Sequence, residues 1–256
     1  MKHGINLNAI LAVRAEADYC SEMTSQLLFG EYCVITDEKD GYFKIENCID
    51  KHTGWVATEG LTPISEEEID NLANSPVIRI CVPMAEVFYL DSKTIIRLPM
   101  GSFIPNYNPD TNRFSIANRD FQVHSSFMTY LPRSNRDGIV PTAMSLLNTP
   151  YLNGGKTLFG MDCSGFVQTV FSVNGYTIPR FSSEQATIGA AIESVPDAEA
   201  GDLFFYTKED VPSHTAIYLG NNRIIHAGNS VKIDEIDDRG NYNKSAYRLY
   251  KIKRAE

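Results

Sequence analysis

Apolar residues in the first half of the chain recur in short alternating runs separated by turn-forming residues. Residues 9–14 (AILAVR), 32–35 (YCVI) and 42–45 (YFKI) read as strands, and 54–56 (GWV) opens a further one. Residues 37–41 (DEKDG) supply a hairpin turn. Short strands at this spacing predict a small β-barrel. The acidic run 66–72 (EEEIDNL) reads as a helical linker turn. A second strand-rich stretch follows, through 77–82 (VIRICV), 95–99 (IIRLP), 101–105 (GSFIP) and 121–123 (FQV), and its length and strand density suit a second barrel of the same type.

The pattern changes across 131–136 (LPRSNR). Residues 141–147 (PTAMSLL) predict a helix with proline at its start, and 166–171 (FVQTVF) an apolar helix after the loop 153–155 (NGG). A further helix is predicted over 183–191. Strands return at 202–206 (DLFFY), 214–220 (HTAIYLG), 223–227 (RIIHA) and 246–250 (AYRLY), with a hairpin turn at 220–222. Helices followed by an antiparallel sheet make this part α+β. The expected division is therefore 1–65 and 66–130, two β-rich domains, and 131–256, an α+β domain.

Composition narrows the function. A formal net charge of −9 with no basic stripe argues against nucleic-acid binding. No segment approaches the ~20 apolar residues of a membrane span. Residues 1–6 lack the apolar core of a leader peptide, so a cytoplasmic location is expected; a periplasmic or secreted one would follow if a leader has been removed. The five cysteines, Cys20, Cys33, Cys48, Cys81 and Cys163, are odd in number and show no C-x-x-C spacing, which fits neither a disulfide framework nor a zinc site. The first four lie in the β-rich region and read as core thiols.

Cys163 differs, because it stands where a loop enters the apolar helix. A helix N-terminus offers unpaired N–H groups and positive potential, which favour a thiolate and suit an oxyanion. Taken alone, the position fits either a nucleophile or a small buried core residue. A nucleophilic thiol needs a base, and the base an orienting group. His214 and His226 lie on the two strands of a predicted hairpin, with a parity that can place both on one face, so one imidazole can serve as base while the other fixes its tautomer.

Taken together, these blocks resemble a known family. Residues 149–155 (TPYLNGG), 159–166 (FGMDCSGF), 201–205 (GDLFF), 214–220 and 224–227 (IIHA) resemble the NlpC/P60 cysteine peptidases. Residues 13–16, 21–31, 40–45 and 54–56 resemble the bacterial SH3-like (SH3b) domain. Two such domains ahead of the peptidase resemble the YkfC-type γ-D-glutamyl-L-diamino acid endopeptidases. The resemblance implies two small SH3-like β-barrels followed by an α+β, papain-like catalytic domain. It implies hydrolysis of the γ-D-glutamyl–diamino acid bond in peptidoglycan-derived peptides, without metal or organic cofactor. Cys163 would be the nucleophile, His214 the general base, His226 the orienting group, and Tyr151 an oxyanion donor beside the Cys163 N–H. Asp162 and Ser164 would line the cleft, and Glu22 would pair with the amine of an N-terminal L-Ala. Trp55 is either barrel core or a wall of the pocket.

Two departures bear on substrate. Asn153 stands where the family usually has a tryptophan. Phe181 stands after Pro179-Arg180 where an amine-binding aspartate is common, and Ser182 keeps the hydroxyl that follows it. Free muropeptides with N-terminal L-Ala are the expected substrates. Rival readings are an exported hydrolase of intact peptidoglycan, a vestigial recognition module, and a Cys-His amidase or acyltransferase.

Overall fold

In the computed structural model, residues 2–130, 134–242 and 247–255 are described. The chain forms two units, Met1–Pro132 and Arg133–Glu256. The pattern change expected at 131–136 lies partly, at 131–133, outside the described residues.

The N-terminal unit begins with β1 (Lys2–Asn6), β2 (Ile10–Arg14), β3 (Met23–Leu28), β4 (Tyr32–Lys39), β5 (Tyr42–Asn47), β6 (Thr53–Ala57) and β7 (Leu61–Ile64). They form one sheet in the order β3-β2-β6-β5-β4-β1-β7. The β4–β5 turn is tighter than the five residues expected: Asp40 and Gly41 alone make it, both with positive φ, as a two-residue hairpin of matching twist requires. Val13, Leu27, Cys33, Ile45, Val56 and Leu61 form the apolar interior.

The acidic run is a helix rather than a linker turn. In α1 (Glu66–Asn74) Ser65 caps the Glu68 N–H while the Glu68 carboxylate accepts from the Ser65 N–H, and Leu72 is buried in the core. Next come β8 (Ile78–Ile80), β9 (Met84–Tyr89), β10 (Thr94–Pro99), β11 (Arg113–Ile116), β12 (Arg119–Val123) and β13 (Met128–Tyr130). Four of them form a sheet, β10-β9-β12-β11, and β8 pairs with β13. The expected strand at 101–105 is irregular, with a single bridge between Arg79 and Phe103. Phe29 lies edge-on to Phe121 at 5.4 Å, and Phe121 stacks on Phe114 at 5.0 Å. One core thus runs from β1 and Phe29 to β12. Gly30 permits this approach, since a Cβ there would stand 2.2 Å from the Phe103 carbonyl oxygen.

The C-terminal unit opens with α2 (Ile139–Met144), then β14 (Lys156–Thr157), β15 (Gly160–Met161), α3 (Cys163–Val173), α4 (Ser182–Gln185) and β16 (Ala190–Ile192). Pro141 is the third residue of α2, not the first. The helix predicted over 183–191 shortens to the single turn α4. Gly189 has φ +71° and lies so close to the Arg254 carbonyl that a Cβ would stand 2.3 Å from its oxygen, so the chain turns there and continues as an edge strand. The sheet is completed by β17 (Leu203–Thr207), β18 (His214–Gly220), β19 (Arg223–Ala227), β20 (Val231–Glu235) and β21 (Arg248–Arg254), in the order β16-β21-β17-β18-β19-β20. The strand expected at 246–250 is β21, and its Ala246 lies outside the described residues. Helix α3, buried on all sides except at Ser172, packs on β18 and β19. The buried Asp202 carboxylate holds both Arg136 and Arg254, fastening the start of the unit to its last strand.

Candidate active site

Helix α3 begins at Cys163 because Asp162 caps it. One Asp162 oxygen accepts the Gly165 N–H at 2.7 Å and the other the Gly154 N–H at 2.8 Å. The buried Arg180 guanidinium then closes on the same carboxylate at 3.0 and 2.6 Å and donates to Ser164 Oγ at 2.9 Å. Gln185 adds bonds to the Ser164 and Pro179 carbonyls. Gly165 is required here: a Cβ would stand 2.2 Å from the Gly155 carbonyl oxygen. The first turn of α3 is therefore gripped by two loops.

The family resemblance puts Asp162 and Ser164 on the cleft wall. Both flank Cys163, but their polar atoms are committed to Arg180 beneath it, because a buried carboxylate next to a guanidinium satisfies both. These bonds brace the α3 terminus that carries Cys163.

The Cys163 thiol is buried and bonds the Thr215 backbone, one residue past His214. Its pKa is pushed up to about 11, first by burial and then by the Asp162 charge, against lowering by backbone N–H groups and Arg180. The thiolate expected from the helix terminus is thus outweighed in the free site. His214 is pushed down to about 3, mainly by burial. Thiol and neutral imidazole coexist.

The Ile217↔Ile225 register sets His214 and His226 on one face of the hairpin. His214 Nε2 and His226 Nδ1 are 2.7 Å apart, and His226 Nε2 lies 2.9 Å from Asp234 Oδ2. Burial also lowers the His226 pKa, so both rings are neutral and the chain of bonds has one consistent direction. His226 Nε2–H donates to Asp234, His214 Nε2–H donates to His226 Nδ1, and the His214 Nδ1 lone pair remains to accept a proton. Lys232, opposite His226 in the β19–β20 ladder, holds the same carboxylate at 2.8 Å.

Sequence reasoning misses Asp234 because it misses β20. The alternation of 231–235 (VKIDE) carries the signal, with Lys232 and Asp234 on one face. It also passes over the role of Arg180.

Tyr151 is half-exposed beside β15, and its phenol is raised by burial and then by Cys163 and Asp162, so it stays a protonated donor within electrostatic reach of the thiol. Asn153 is an exposed turn residue preceding Gly154. Phe181 is exposed, its ring 6.0 Å from the Arg180 guanidinium, and Ser182 Oγ donates to the Pro212 carbonyl at 3.4 Å. Glu22 and Trp55 belong to the N-terminal unit. Glu22 is exposed between β2 and β3, while Trp55 is buried on β6 with Lys44 over its ring. Cys20, expected as a core thiol, is exposed at the tip between β2 and β3, where its N–H meets Asp18.

Residues 148–250, which hold this whole constellation, match the NlpC/P60 family. The catalytic unit is an NlpC/P60 domain. Ahead of it, residues 13–61 match the bacterial dipeptidyl-peptidase SH3 domain. The chain is 26% identical over 226 residues to a gamma-D-glutamyl-L-lysine dipeptidyl-peptidase of Bacillus subtilis (strain 168), covering 83% of this chain and 74% of that one. It is 25% identical over 248 residues to dipeptidyl-peptidase 6 of Lysinibacillus sphaericus, covering 88% of each. The crystal structure of an NlpC/P60 family protein from Bacillus cereus ATCC 10987 shares the fold with a TM-score of 0.85 over 98% of this chain and 99% of that one, at 19% identity. In this NlpC/P60 domain the cysteine and both histidines are present, and the histidines are joined by hydrogen bonds across strands β18–β20.

Proposed function

We propose that the protein is a cysteine endopeptidase that hydrolyses the γ-D-glutamyl–diamino acid bond of peptidoglycan stem peptides. The observation that carries this is the His214–His226–Asp234 hydrogen-bond chain beside a cysteine at a helix terminus, bonded to the backbone of the residue after His214, in a chain whose relatives include γ-D-glutamyl-L-lysine dipeptidyl-peptidases. Substrate binding brings the carbonyl to Cys163, and the thiol transfers its proton to His214 Nδ1 as sulfur attacks. The imidazolium so formed is stabilised by His226 and Asp234. The tetrahedral oxyanion is met by the Cys163 N–H and the Tyr151 hydroxyl. His214 then protonates the departing amine, and water releases the acyl group by the reverse sequence.

The finer reading includes free muropeptides with N-terminal L-Ala as substrates and a cytoplasmic location. Five cysteines without a disulfide among the described residues support that location. It also treats β8–β13 as a second SH3-like unit, supported by their antiparallel order and aromatic core. Phe181 supplies no charge at the position after Pro179-Arg180, where the resemblance expects an amine-binding aspartate.

The test is incubation with L-Ala-γ-D-Glu-L-Lys, its diaminopimelate counterpart and their N-acetylated forms. Release of the diamino acid from the free-amine peptides alone supports the recycling reading. Cleavage of acetylated peptide and of intact sacculi points to wall hydrolysis. No cleavage of any of them overturns the substrate assignment.

A further inference from the structure

Three tyrosine rings pack around His214, with centroids 5.3 Å (Tyr247), 5.8 Å (Tyr242) and 6.2 Å (Tyr206) away. Tyr206 and Tyr242 are buried, whereas Tyr247 is partly open to solvent. Tyr247 also acts on the Tyr151 phenol, which in turn feels Cys163 and Asp162. Tyr247 thus packs on His214 and lies within electrostatic reach of Tyr151. Over its ring, 4.5 Å from the centroid, stands the ammonium group of Lys208. Lys208 is exposed and, although Glu209 and Asp210 follow it, makes no ion pair with a carboxylate among the described residues.

The side of the cleft matters. The imidazole that takes the thiol proton must return it to the leaving amine, so the leaving group lies on the histidine side of Cys163. That is the side where Tyr247 packs on His214. The carboxylates built into the site are already committed, Asp162 to Arg180 and Asp234 to His226 and Lys232. Among the described residues, the leaving-group side therefore carries a cation, oriented by an aromatic face, with no carboxylate paired to it.

We propose that Lys208, carried on the Tyr247 ring, binds the free α-carboxylate of the departing amino acid. The enzyme then prefers peptides that end at the diamino acid over peptides that continue beyond it. This rests on the γ-D-glutamyl peptidase reading above and adds a specificity determinant to it. It also sets the protein's place in a reaction sequence: its preferred substrate comes from a reaction that trims residues following the diamino acid. A continued chain replaces the carboxylate with a neutral amide, which a lysine has no charge to grip.

The experiment compares kcat/KM for L-Ala-γ-D-Glu-L-Lys and for the same peptide with a C-terminal amide, in wild type, Lys208→Met and Lys208→Glu. An exposed pair predicts a free-acid preference of about two- to fivefold in wild type at low salt. The preference should shrink at high salt, approach unity in Lys208→Met and reverse in Lys208→Glu. Because each protein is its own control through the ratio, partial misfolding does not mimic the result. An acid-to-amide ratio unchanged by Lys208→Met overturns this proposal and leaves the peptidase reading standing. Cleavage of neither peptide by wild type overturns both.

Discussion

Replacing Asp234 by asparagine tests the relay. The side-chain amide of Asp234→Asn keeps an oxygen to accept from His226 Nε2–H, so the tautomers of both rings survive while the charge is removed. The two bonds of 2.9 and 2.7 Å, with the His226 ring between them, put the carboxylate about 8 Å from the imidazolium that forms on His214. At an effective dielectric constant near 20 that charge pair is worth about 2 kcal/mol, or roughly 30-fold in rate. The imidazolium exists only after proton transfer, so the loss belongs in kcat, with KM little altered. Lys232 would be left unpaired by this change and would add repulsion. The double variant Asp234→Asn with Lys232→Met should therefore recover part of the loss. Asp234→Leu removes the acceptor as well and frees His226 to present the wrong tautomer, which should cost at least tenfold more. Steady-state kinetics on the tripeptide, with melting curves as control, provide the readout. A kcat for Asp234→Asn within threefold of wild type, at unchanged stability, refutes the relay.

Further tests address the nucleophile and its support. Arg180→Met leaves the buried Asp162 charge unpaired, which should destabilise the catalytic unit by about 3–5 kcal/mol and lower its melting temperature by roughly 10 °C; a shift below about 2 °C would contradict the clamp. Gly165→Ala drives a Cβ into the Gly155 carbonyl, so activity and melting temperature should both fall, and a variant with wild-type melting would show the loop contact to be slack. The Cys163 pKa lies above its ordinary value and that of His214 below, so the free enzyme holds thiol at neutral pH. The rate of iodoacetamide alkylation at Cys163 should then climb as pH rises toward about 11, and a plateau already reached below pH 7 would show a resident thiolate.

What the sequence discloses follows the physical reach of each signal. Turn chemistry at Gly220-Asn221-Asn222 and alternation along 214–220 and 223–227 are local, so they suffice to pair the two histidine strands. The cysteine at a helix start is legible for the same reason, since a cap is a matter of four residues. Asp234 lies eight residues beyond His226 on a strand too short and polar to stand out, and its meaning comes from register across a ladder. The single-turn α4 is overread because a helical composition over 183–191 is overridden at Gly189 by a carbonyl from the far end of the chain.

The Cys163 thiol shows where local reasoning stops. Helix position, read alone, favours the charged sulfur, and the helix does start where the sequence predicts it. Burial works the other way, and the aspartate that caps the helix brings a negative charge beside the sulfur. On the proposed mechanism the proton is held until substrate arrives: Asp162 and Arg180 fix the backbone, while His214, His226 and Asp234 would stabilise the charge only once it has moved. In this view the capping residue and the relay carboxylate act at opposite ends of the same proton transfer. Removing Asp234 should therefore slow chemistry with little effect on folding, and removing Arg180 should weaken folding as well as chemistry.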